Sequence, residues 1–178
     1  MRNTTQAPTD GATRQVVSAA ASMRRSTDEA CDPMAWLTGI GYEWYLRRLP
    51  DKLRGFHVPA GYIVVNDRLS QCEQRFTAAH EFAHALVSRG DLLLGGADEE
   101  WAADLFAAEC LLPVTKVRSA GPAAAWPQVP ADVAAWQLSR AGYARTVQTI
   151  AGRVVCRDCG WRSLSAACSC AAVRRRAA

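Results

Sequence analysis

"RFTAAHEFAHAL", residues 75–86, places two of the chain's three histidines four positions apart, with a glutamate directly after the first. On an α-helix, residues four apart differ by about 40° around the axis and about 6 Å along it, so His80 and His84 project from one face. Two imidazoles placed this way can converge on one ion at Zn–N distances of about 2.0–2.1 Å. Glu81 lies about 100° around from His80. It sits beside such an ion rather than on it, where it can take a proton from a metal-bound water. The H-E-x-x-H spacing therefore writes two ligands and a general base into five residues.

The flanks supply the helix. Ser70 followed by Glu73 is a capping-box signature, and Gly90 marks a stop. Upstream, "LRGFHVP" and "YIVVND" are two short β-type segments around "AG", a hairpin signal. "YEWYLRRLP" reads as either a strand or a helical turn. From Gln15 to about Arg25, apolar spacing predicts a helix. Downstream of "DLLLGGA", Asp98 can cap a second helix with Glu99 and Glu100 in its first turn, continuing through "WAADLFAAECLL" to a stop near Pro113. "SAGPAAAWPQVP" is a linker, and "ADVAAWQLSRAG" is helical, with Val133, Trp136 and Leu138 as its apolar contacts.

A catalytic zinc takes three protein ligands and keeps a fourth position for water. His57 lies upstream of the motif and no histidine follows it, so the third ligand is expected to be a carboxylate on the following helix. Glu100 and Asp104 share one helical face, beside an apolar stripe of Trp101, Leu105, Ala108 and Leu112. Glu100 is the expected ligand and Asp104 the residue that holds a histidine N–H from behind. Glu99 is the rival ligand, disfavoured because position 103 is alanine. Glu109 is expected to face solvent or to make an ion pair.

"RFTAAHEFAHAL" followed by E-x-x-A-D-x-F-A-A-E-x-L-L-P resembles the ImmA/IrrE family of metallopeptidases, over about residues 54–113. The resemblance matches His80, His84 and Glu100 to the zinc ligands, Glu81 to the catalytic glutamate and Asp104 to an Asn/Asp position. Cys110 stands where leucine is usual, and "CLLP" closes up the usual L-L-x-P spacing. The resemblance implies a selective endopeptidase that cuts helix-turn-helix transcriptional repressors and so switches on stress-response or mobile-element genes. Hydrolysis would proceed by Glu81-assisted attack of zinc-bound water, with the proton passed to the departing amine. Tyr62, His57 and Arg75 are unranked candidates for stabilising the oxyanion.

Of seven cysteines, Cys31, Cys72 and Cys110 are scattered, as small apolar residues are. Cys156, Cys159, Cys168 and Cys170 cluster as C-x2-C-x8-C-x-C, which predicts a second, structural zinc. Arg174 to Arg176 follow. With a net charge of +4 the chain is only modestly basic, so direct nucleic-acid binding is left open. No run of about 18 apolar residues exists to span a membrane, and the polar N-terminus points to the cytoplasm.

About half of the 178 residues are hydrophobic, enough for a buried core. The expected organisation is a flexible leader over 1–14, a zincin-like metallopeptidase domain over 15–150, and a Cys-rich zinc-binding tail with a basic end over 151–178. The expected class is α+β: a small antiparallel sheet packed on the H-E-x-x-H helix and the Glu100 helix, with a C-terminal zinc knuckle. A metal-containing regulatory module that binds a repressor or DNA without cutting is the alternative, and a zinc hydrolase of small amides is a third reading.

Overall fold

A computed structural model describes residues 10–26, 31–93, 98–121 and 128–143. Among these residues it shows a mixed α+β fold of six α-helices and one three-stranded sheet. The chain divides into two compact units, Pro8–Leu111 and a second containing the residues from Leu112 onward.

The first unit opens with α1, Asp10–Ser26, which begins at Asp10 rather than at Gln15. Its buried Ala12, Val16 and Ala20 recur every four residues and form one apolar stripe. A short helix outside the expected elements follows: α2, Pro33–Gly39, with Asp32 accepting from the Met34 N–H at 3.1 Å. Proline at its first position suits a place where the missing N–H is no loss.

β1 (Glu43–Arg47), β2 (Gly55–Val58) and β3 (Tyr62–Asn66) then form a sheet in the order β1-β3-β2. "YEWYLRRLP" is thus a strand. β2 and β3 pair antiparallel through the turn at Gly61, whose φ of 106° suits glycine. β1, however, pairs with β3 in parallel. The sheet is therefore mixed, which corrects the antiparallel expectation. The reason is topological. Parallel neighbours need a connection of a dozen or more residues, and 48–61, which contains β2, supplies one.

α3, Gln71–Arg89, lies on β2 and β3. The Glu73 carboxylate accepts from the Ser70 N–H at 3.1 Å, and Gly90 ends the helix in the left-handed conformation. α4, Glu99–Leu111, packs on both α3 and α1. Being covered on two sides, it buries Ala102, Ala103 and everything from Leu105 to Cys110. Glu109 is one of these: it is buried rather than facing solvent, because α4 has little free surface beyond its first turn. A line of rings ties the layers together, Trp36 to Phe82 at 5.7 Å and Phe82 to Phe106 at 6.0 Å between centroids.

In the second unit, α5 (Val114–Ala120) and α6 (Ala131–Leu138) bury Leu112, Val117, Ala134, Ala135 and Leu138 together. The Gln137 amide donates to the Leu112 carbonyl at 2.8 Å inside that cluster. Among the described residues no helix is long and apolar enough to cross a membrane.

Candidate metal centre

Three ligand-type side chains meet between α3 and the first turn of α4. One ligand atom from each of His80, His84 and Glu100 lies within 4.8 Å of the others. The two Nε2 atoms are 3.1 Å apart, and each is 3.4 Å from an oxygen of Glu100. Tetrahedral ligands about 2.0–2.1 Å from an ion stand about 3.3 Å apart. The separations fit.

The reverse sides of the rings explain why the lone pairs converge. His80 Nδ1 is 2.9 Å from Asp104 Oδ1, and His84 Nδ1 is 2.7 Å from Glu99 Oε1. An ionised carboxylate only accepts, so each Nδ1 carries hydrogen and each Nε2 of a neutral ring is left with its lone pair facing the other and a carboxylate. Two lone pairs at 3.1 Å repel unless a cation, either a proton or a metal, lies among them. Two imidazoles and a carboxylate form a donor set for zinc.

Electrostatics follow the same geometry. Burial works against a charged His80, but its hydrogen bonds to Asp104 and Glu100 outweigh burial and push its pKa up to about 10. Burial raises Asp104, while the His80 hydrogen bond opposes the rise. These two shifts describe one coupled pair that keeps a proton through neutral pH. Glu100 is lowered, first by its hydrogen bond to His80.

Glu81 points into the protein beside this cluster and is 7% exposed. Burial raises its carboxyl, against the pull of His80, His84 and a hydrogen bond from the His57 main-chain N–H. β2 comes this close because position 55 is glycine. A Cβ there would lie 2.6 Å from Thr77 Cγ2, 2.8 Å from the Val64 carbonyl oxygen and 3.3 Å from Glu81 Oε1. Nothing in the sequence pattern singles out Gly55. Its role depends on β2 crossing α3, a long-range contact.

The three oxyanion candidates part company. Arg75 donates to the Cys31 carbonyl at 2.6 Å. Tyr62 is exposed and packs edge-on against Tyr45. His57 alternates onto the face of β2 that Gly55 presents to α3, and its surroundings include the charges of His84 and Glu99. Burial, then His84, lower its pKa. Its Nε2 is 3.2 Å from the Tyr42 hydroxyl, with the two rings stacked. Cys156, Cys159, Cys168 and Cys170 lie outside the described residues, as do 1–9 of the expected leader.

The chain matches the family model Peptidase_M78, described as the IrrE N-terminal-like domain, over residues 18–135. That span takes in α3, α4 and every side chain of the cluster. The comparison with curated proteins finds no match.

Proposed function

The chain belongs to the Peptidase_M78 family of IrrE-like metallopeptidases, and from that premise we propose that it is a zinc-dependent endopeptidase acting on a regulatory protein in the cytoplasm. A helix-turn-helix transcriptional repressor is the substrate class that the family resemblance suggests. The observation that carries the reading is the convergence of His80, His84 and Glu100 with the buried Glu81 alongside.

In this reading His80, His84 and Glu100 hold the metal, and Asp104 orients His80 from behind. When bound, zinc polarises a carbonyl and makes water more acidic. The remaining work falls to the chain. Glu81, held by the His57 N–H and raised by burial, takes the proton of the attacking water and gives it to the departing amine. The upward push of burial on this carboxyl makes it a better proton acceptor than a solvated glutamate. Residues 15–150 are then the peptidase domain, and 151–178 a tail whose four cysteines hold a structural zinc.

Co-expression with a helix-turn-helix repressor encoded beside this gene tests the proposal. Wild type should cut the repressor. Glu81→Gln should keep its metal and lose about 10²–10⁴-fold in cleavage rate, the usual contribution of a general base. Undiminished cleavage by the variant would remove Glu81 from the mechanism. Tight binding of the repressor by wild type without any cleavage would favour a non-catalytic regulatory module.

A further inference from the structure

Glu99 has no part in the mechanism above, yet it makes the shortest contact around either imidazole: Oε1 to His84 Nδ1, 2.7 Å. Sequence spacing favours Glu100 over Glu99 as a ligand but assigns Glu99 no other role. Geometry separates them. The two ring nitrogens face different directions, so a carboxylate on Nδ1 cannot also reach an ion on Nε2. Glu100 has an oxygen 3.4 Å from each Nε2, whereas Glu99 is on the reverse side of His84. Asp98 fixes the turn that carries both, accepting from the Trp101 N–H at 3.0 Å.

We infer that Glu99 is the positioning residue for His84 and that it governs how tightly the cluster retains its metal from the solvent side. The inference rests on the metal-site reading above. It follows from the unlike settings of the two carboxylates behind the imidazoles. Asp104 is 16% exposed and sits one turn inside α4, enclosed with His80. Glu99 is 50% exposed and is the first residue of the helix. His80 is thus oriented by a group packed into the protein, and His84 by a group at the surface. Loss of the Glu99 bond frees the His84 ring to turn or change tautomer, and the Nε2 lone pair then leaves the cluster.

The test is zinc competition with a chromophoric chelator on the full chain, with Glu100→Ala as the blank so that metal held elsewhere, including at the four C-terminal cysteines, cancels. Glu99→Ala should weaken the site about 10–100-fold. Glu99→Gln, whose amide oxygen can still accept from Nδ1–H, should recover most of that loss. The melting temperature without metal should be the same for wild type and both variants, since Glu99 is half exposed. The inference is overturned if Glu99→Ala binds zinc like wild type, or if Gln is as damaging as Ala. It is also overturned if Glu99→Ala is as empty as Glu100→Ala, which would make Glu99 a ligand. If wild type holds no more zinc than Glu100→Ala, the metal-site reading itself fails, and this inference goes with it.

Discussion

α3 and α4 both supply the candidate centre, but from different parts of their length. The histidines stand in the middle of α3, with nine residues before His80 and five after His84 inside the helix. Glu99, Glu100 and Asp104 occupy the first two turns of α4, and the rest of that helix is core. A group inside a helix is held by hydrogen bonds on both sides, whereas first-turn residues depend on the cap. The contrast teaches that the imidazoles, with Asp104, are the fixed half of the cluster and the first-turn glutamates Glu99 and Glu100 the adjustable half.

The largest effect should come from attacking the fixed half where β2 crosses it. Gly55→Ala puts a methyl group 2.8 Å from a main-chain oxygen and 3.3 Å from Glu81. Chemical denaturation should show a loss of about 1–3 kcal/mol, the range for overpacking, and cleavage should fall further than stability alone explains. A fully active, fully stable variant would show that this side is not rigid.

Next in size is the response to pH. With no metal bound, His80 keeps its proton up to about 10, so a metal must displace that proton to reach Nε2. The affinity of the cluster should therefore rise as pH climbs toward about 10, with one proton released for each metal bound. Calorimetry in buffers of different ionisation enthalpy counts the protons directly. Affinity that is flat over this range would dissolve the His80–Asp104 coupling.

The caps offer the smallest and most direct comparison. Asp98→Ala and Ser70→Ala should each cost about 0.5–2 kcal/mol of stability. Only the Asp98 change should also weaken metal binding in the chelator assay, because it releases the turn carrying Glu99 and Glu100. Equal effects on metal affinity would erase the distinction between the two helices.

Sequence made α3 legible from end to end, since its cap, its stop and its histidine spacing are all local signals. It also read the β2–β3 hairpin and the start of α4. The parallel pairing of β1 escaped it because strand partners are chosen by long-range packing. Glu109 does not face solvent for a related reason: contact with both α1 and α3 erases the polar face that a helix otherwise displays. α2 did leave a trace, the Asp32-Pro33 pair that caps and opens it. At the centre, spacing brought out His80, His84, Glu81, Glu100 and Asp104. It had no means of telling that Glu99 meets Nδ1 of His84, because adjacent glutamates differ only in where the partner helix lies.

The missing side chain at position 55 also fixes which frame the strand can occupy. Sliding β2 along α3 by one position would force Arg54 or Phe56 into a gap too small for a methyl group, and the Arg54–Glu73 ion pair at 2.6 Å anchors the same end. Residues gained or lost in the connection 48–54 must therefore be absorbed within the connection itself. The frame of β2 beside the His80–His84–Glu100 cluster is then set by position 55 and not by the length of the connection that leads to it.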